Sequence, residues 1–217
     1  MNVVIDVEHV TKQFKDGLVI NDVSLSVNEG EIVGIVGKNG SGKTMLFKCI
    51  CGFVRPTSGS IAVRGKRIGV DVDFAQDVGI IIETPGFLPY YSGFTNLRLL
   101  ADINGKISNQ DIEAAMELVG LKPKDKKVVY KYSLGMRQRL GLAQALMEQP
   151  SILILDEPMN GLDQDGVDEM RTLLKKLSQE GITILIASHS KEDISLLCDR
   201  VYKMDKGAMT EMDAGVA

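Results

Sequence analysis

The run EIVGIVGKNGSGKTMLFKCICGF, residues 31–53, restricts this chain more than any other stretch. A short apolar strand leads straight into a loop carrying Gly37, Gly40 and Gly42, and helical spacing follows from Lys43. Glycines let the backbone curl so that successive N–H groups point inward, and the helix that follows adds its positive end. A phosphate group then meets donors from several sides. In a loop of this pattern the Lys43 ammonium reaches the β- and γ-phosphates of a nucleotide, and the Thr44 hydroxyl ligates Mg2+.

The rest of the chain reads as an α/β fold around that unit. SILILDEP (151–158) and GITILIASH (181–189) are continuous apolar runs, the pattern of strands buried on both faces of a parallel sheet. Near the start, VVIDVEHVTKQF and LVINDVSLSVNEG alternate, which predicts antiparallel strands joined by a turn at Asp16-Gly17, and GSIAVRGKRI predicts another strand pair. From about Thr84 to Ser133 the texture becomes helical, in FTNLRLLADIN and SNQDIEAAMELVG. The expected organisation is one domain over 1–217: a core with a mostly parallel sheet and an antiparallel β part from 1–83 and 137–217, and a helical subdomain at 84–136.

Composition excludes several classes. With 217 residues and 44% hydrophobic content the chain buries a sizeable core, and a net charge of −4 argues against a nucleic-acid partner. No apolar run approaches the roughly 20 residues of a membrane helix. The opening MNVVIDVEHV lacks a secretory signal, and the end soon after VYKMDKGAMTEMD predicts no appended regulatory domain. Cys49, Cys51 and Cys198 read as reduced thiols, and the first two lack partners at metal-ligand spacing.

What a bound nucleotide undergoes is indicated further on. In SILILDEPMNGLD, Asp156 ends an apolar strand, where its carboxylate can hold Mg2+ through water, and Glu157 follows directly. One carboxylate organises the metal while the other polarises a water, so hydrolysis is favoured over transfer to a bulky acceptor. In YSLGMRQRL, Ser133 stands at the start of a helical run, either as a simple N-cap or as part of an anion site.

Taken in order, the phosphate loop, the serine-glycine helix start, ILILDEP, NGLD and the late histidine of IASHS resemble the nucleotide-binding subunit of ATP-binding cassette (ABC) proteins, over essentially the whole chain. The resemblance implies a P-loop NTPase core, ATP and Mg2+ as cofactors, and two subunits paired head to tail. Each ATP would lie between the phosphate loop of one subunit and the signature segment of the other. By position, Gly37, Asn39, Gly40, Ser41, Gly42, Lys43 and Thr44 match the loop, Ser133 and Gly135 the signature, and Asp156 and Glu157 the strand-end pair. Asp163 matches the loop that crosses the dimer interface, His189 the histidine that contacts the γ-phosphate, and Phe14 the aromatic ring against adenine. Read alone, His189 fits a structural histidine and Phe14 a packed core ring.

Two departures narrow the resemblance. Leu134 and Met136 replace a glycine and a glutamine of the usual signature, and Glu83 stands where a glutamine usually links Mg2+ and water to the membrane partner. Both are similar to bacterial exporters of lantibiotics and related peptide antibiotics. The implied partners are an integral membrane permease and a second nucleotide-binding subunit, homo- or heterodimeric, at the cytoplasmic face of the membrane. A cassette ATPase that moves no solute is the alternative, and a small-molecule kinase a third. Independently of the family, Phe87, Tyr90, Tyr91 and Phe94 cluster just after Glu83, either lining a groove for a helix of the membrane subunit or packing internally. The lysine-rich KPKDKKVVYK (122–131) reads as a solvated face.

Overall fold

The computed structural model describes residues 2–83 and 85–212, so the expected boundary at Thr84 and the tail from Asp213 lie outside the described residues. Alternation in the first 30 residues produces a long hairpin, β1 (Val3–Phe14) against β2 (Gly17–Asn28). Its turn is the two-residue Lys15-Asp16 with Gly17 already paired to Phe14, one position earlier than expected, because a two-residue loop matches the strand twist best. β4 (Ser58–Val63) adds to β1, and β5 (Lys66–Arg67) to β4, completing a four-stranded antiparallel sheet in the order β2-β1-β4-β5.

A second sheet has six strands in the order β10-β9-β3-β8-β7-β6. These are β3 (Ile32–Val36), β6 (Val78–Ile81), β7 (Ile152–Asp156), β8 (Thr183–Ser188), β9 (Arg200–Asp205) and β10 (Ala208–Met212). All neighbours pair in parallel except β10 with β9. Every residue of β3, β7 and β8 is buried, which is why these segments carry unbroken apolar runs.

One core lies between the two sheets, where α1 (Lys43–Cys51) inserts the fully buried Leu46, Phe47 and Ile50 among inward residues of both. Burying each such side chain stabilises the fold by about 1.5–3 kcal/mol. The opposite face of the parallel sheet is covered by α2 (Gly93–Asn104), α3 (Asn109–Leu118), α4 (Leu134–Leu146), α5 (Gln164–Gln179) and α6 (Lys191–Leu197). Caps set their starts: Ser92, Ser108, Ser133, Asp163 and Ser190 each accept a backbone N–H of their own first turn.

β6 is the edge strand that joins this helical layer to the sheet, and its Gly79 lets the end of α4 come close. A Cβ there would fall well inside van der Waals contact of the Ala145 carbonyl, and backbone cannot swing aside. Gly79→Ala is expected to lower stability by about 1–3 kcal/mol, read as a shifted urea midpoint at unchanged slope.

Candidate active site

Register gathers the site. Parallel pairing sets Val36 beside Ser188, Asp156 beside Ala187, and Ile81 beside Leu155. The residues that follow each strand, Gly37, His189, Glu157 and Glu83, therefore emerge at the same end of the sheet. Carboxyl ends of parallel strands are where open α/β sheets bind ligands.

The loop after β3 ends at Gly42, whose φ of 112° is a left-handed conformation that side-chain-bearing residues seldom adopt. Gly42 is also the N-cap of α1 and brings no capping side chain, so the first N–H groups of that helix are left for a ligand. Lys43 is buried, and its Nζ donates to the Gly37 carbonyl at 2.7 Å and the Lys38 carbonyl at 3.4 Å. Ser41 Oγ is buried with no hydrogen-bond partner. Asn39 and Gly40 are exposed at the loop tip. With Ser41 to Thr44, Glu83, Asp156 and Glu157 they line a cavity of about 640 Å3. An uncapped helix start, an ammonium with one donor to spare and an orphaned hydroxyl around one cavity fit a phosphate chain.

Thr44 Oγ1 donates to Asp156 Oδ2 at 2.6 Å. Burial pushes the Asp156 carboxyl above the usual carboxylate range, with Thr44 and Lys43 pulling it down and Glu157 and Glu83 pushing it further up. Among the described residues no group of three or more His, Cys, Asp or Glu could hold a metal by itself. The Thr44–Asp156 pair therefore suits a Mg2+ completed by phosphate oxygens and water rather than an all-protein cage.

Glu157 follows in a left-handed conformation, φ 52°, its N–H donating to the Ala187 carbonyl at 2.9 Å. Oε1 stands 3.8 Å from Lys43 Nζ, near enough for attraction but beyond a hydrogen bond, and it has no other partner. Oε2 accepts from the His189 backbone N–H at 3.3 Å and lies 2.8 Å from His189 Nδ1. An ionised carboxylate only accepts, so against one Nδ1 carries the hydrogen. A strand-end acid bound to a histidine and facing a lysine is equipped to take a proton from water.

Several expected residues lie further out. Glu83, also left-handed at φ 62°, lines the cavity but pairs with Lys48 Nζ at 2.6 Å. Ser133 caps α4 through Met136 N at 3.1 Å and is exposed, and it does not line the cavity, whereas its neighbour Leu134 does. Gly135 abuts Gly161 and Leu162, and Asp163 caps α5 through Gly166 N at 3.0 Å. Phe14, at the end of β1, is 42% exposed, carries the Lys12 ammonium 4.7 Å from its ring centroid, and is not among the residues lining the cavity.

Sequence reasoning passed over Lys48, one helical turn beyond Thr44, and Gln138, whose Nε2 donates to the Glu157 carbonyl at 3.4 Å. Lys48 had a signal, its i, i+4 spacing from Thr44; Gln138 had none. The aromatic cluster divides: Phe87 and Phe94 pack on the helical core, while Tyr90 and Tyr91 are exposed, Tyr90 stacked on Tyr130 at 6.4 Å. The larger cleft, about 820 Å3 between β6 and α2 to α4, holds no phosphate loop or acid–histidine pair. Burial pushes the Cys49 and Cys51 thiols up to about 11 and about 12, so both stay protonated and unreactive.

The sign of Asp156's contribution is testable. A carboxyl raised by burial binds its proton more tightly folded than unfolded, so the ligand-free chain loses stability as pH climbs through the carboxylate range and stays lower at neutral pH. Asp156→Asn, which can still accept from Thr44, should raise the thermal midpoint at pH 7 without nucleotide and flatten that pH dependence.

Comparison with known proteins agrees with this geometry. The ABC transporter family profile matches residues 20–160. The bacitracin transport ATP-binding protein BcrA of Enterococcus faecalis is 43% identical over 213 residues, covering 97% of this chain and 69% of its own. The lantibiotic transport ATP-binding protein SrtF of Streptococcus pyogenes is 35% identical over 194 residues, covering 89% of this chain and 83% of its own. The dimeric ATP-binding cassette MJ0796, solved in a post-hydrolysis state with ADP and Pi, shares the fold at a TM-score of 0.84 and 22% identity, over 95% of this chain and 98% of its own. With a phosphate loop, a strand-end acid pair and family identity agreeing, the chain belongs to the ABC transporter family as an ATP-binding, ATP-hydrolysing subunit.

Proposed function

We propose that this subunit powers export of a peptide antibiotic of the bacitracin or lantibiotic kind through a separate membrane permease, working as a head-to-tail pair on the cytoplasmic face of the membrane. The observation that carries the catalytic half is the placement of Glu157 between Lys43 and His189, directly after the Thr44–Asp156 pair. Among the described residues no helix is long and apolar enough to cross a membrane, which is consistent with a permease on another chain. The names of BcrA and SrtF support the substrate class.

In this reading the loop N–H groups and Lys43 hold the β- and γ-phosphates, and Phe14 offers its exposed face to adenine. Thr44 and Asp156, with Glu83 close by, would hold Mg2+, which would supply positive charge to offset that of the phosphates. Glu157 takes a proton from the attacking water as its oxygen bonds to the γ-phosphorus and the bond to the β-phosphate oxygen breaks. His189, through Nδ1, keeps Glu157 Oε2 from turning away, and as an imidazolium it would donate to the γ-phosphate through Nε2. Ser133 and Gly135, away from their own chain's cavity, supply the N–H groups and hydroxyl of α4 to the partner's phosphate, and Asp163 lies where the partners cross.

Glu157→Gln is expected to keep ATP binding, lower turnover at least 100-fold and accumulate an ATP-dependent dimer in gel filtration, whereas Lys43→Ala loses nucleotide affinity itself. Turnover at the parent rate would remove Glu157 from the role of base. The exposed Tyr90 and Tyr91, beside Leu88, form the face assigned to the permease. Replacing both tyrosines with serine should abolish co-purification with the permease while leaving ATPase activity of the isolated chain within about twofold.

A further inference from the structure

His189 stands at the entrance to a helix too short to hold its own place. α6 has seven residues, and isolated helices below about 12 are marginal in water, so tertiary contacts decide where it sits. Beneath it, Ile194 and Leu197 are buried in the helical core. At its first turn the contact is ionic: Arg171, from the middle of α5, donates through Nη2 to Asp193 Oδ1. Arg171 Nη1 donates to Asp168 Oδ1 at 3.0 Å, and Glu192 Oε1 stands 3.9 Å from Nη2.

Neither partner of the central pair is a surface ornament. The Arg171 side chain is 13% exposed and that of Asp193 10%, and Arg171 Nε is buried with no partner. Burial opposes the guanidinium charge, and the carboxylates of Asp193, Asp168 and Glu192 more than offset it. A cation kept from water with one donor unsatisfied costs free energy that a solvent-facing pair would avoid. From Asp193 the geometry runs straight back to the site. Asp193 N donates to Ser190 Oγ at 3.2 Å, Ser190 N donates to Ser188 Oγ at 3.0 Å, and His189 is held between them against Glu157 Oε2.

We propose that Arg171 is a positioning residue for His189: by pinning Asp193 it fixes the first turn of α6 and so the imidazole against Glu157. The effect on turnover rests on the role of His189 in hydrolysis given above; the effect on the ring's position does not. Arg171 does not line the phosphate-loop cavity, and it acts from α5, the helix that Asp163 begins.

The chain has only two histidines, so 15N-histidine labelling with a long-range 1H–15N correlation resolves both rings. His9, exposed and paired with Asp22, is the internal control. In the ligand-free chain, Arg171→Ala should move the His189 ring signals towards those of a free imidazole and leave His9 in place. kcat should fall about 10- to 100-fold with the KM for ATP little changed, and Arg171→Lys, which keeps a charge but not the fork, should fall between. Asp193→Asn removes the pair from the α6 side and carries the test if Arg171→Ala does not fold. His189 signals that coincide with the parent's in these variants would overturn the proposal. Moved signals with parental turnover would leave the positioning intact and remove His189 from hydrolysis instead.

Discussion

Asp156 is a carboxylate with little water around it, held by one short hydrogen bond from Thr44 at the end of a fully buried strand. Left to itself such a group opposes folding. Around it stand a buried lysine spending its charge on two carbonyls, a buried serine hydroxyl and a glutamate oxygen without partners, and two acids in left-handed backbone. Each left-handed acid costs about 1–3 kcal/mol, and all of these features fall within one cavity. They persist because β3, β7 and β8 over-determine the backbone that carries them: the register of three buried strands leaves no alternative exit for residues 37, 157 and 189. Within this cavity, local rules are broken where a ligand restores them.

Such a site is unevenly furnished. The loop and the strand ends supply cations, N–H groups and acids from one direction, while the start of α4 contributes Leu134 and Arg137 to the cavity but neither Ser133 nor Gly135. Leu134, in the place of a signature glycine, also lies over Gly161, so the signature helix and the loop leading to Asp163 are packed together within the chain. A displacement of either is felt by the other through that contact. The α5 helix then extends from Asp163 to Arg171, which holds α6. The start of α4, the loop leading to Asp163 and the histidine that touches the strand-end acid are thus joined by packed side chains rather than by flexible loop.

Legibility in the sequence followed the range of the interactions. The phosphate loop, the hairpin and the buried strands are written in contiguous residues, since each rests on spacing within about ten positions, and the order of motifs carried the family. β6 went unread although VGIII is apolar, because four residues at a sheet edge beside a glutamate give no period, and β9 with β10 is held by pairing more than by pattern. The aromatic run after Glu83 divides, because sequence proximity cannot say that Phe87 and Phe94 turn inward while Tyr90 turns out to meet Tyr130, forty residues on. Arg171 and Asp193, 22 residues apart on two helices, carry no local signature at all.

Glu83 illustrates how a departure becomes intelligible only with its partner. A glutamate where the family usually has glutamine adds a negative charge beside Asp156 and Glu157, and like charges so close oppose one another. Lys48, one helical turn beyond Thr44 on the same face of α1, returns the positive charge at 2.6 Å. Both side chains are partly exposed, so the pair contributes at most about 1 kcal/mol to stability, too little to be its reason for existing. Its consequence is local charge balance. With Lys48 engaged, the negative charge that Glu83 adds beside Asp156 and Glu157 is partly offset. Moving Glu83 towards a metal would strip Lys48 of its partner on the helix that follows the phosphate loop. In this chain, the segment leading to the exposed tyrosines and the helix of the phosphate loop cannot shift independently without separating that ion pair.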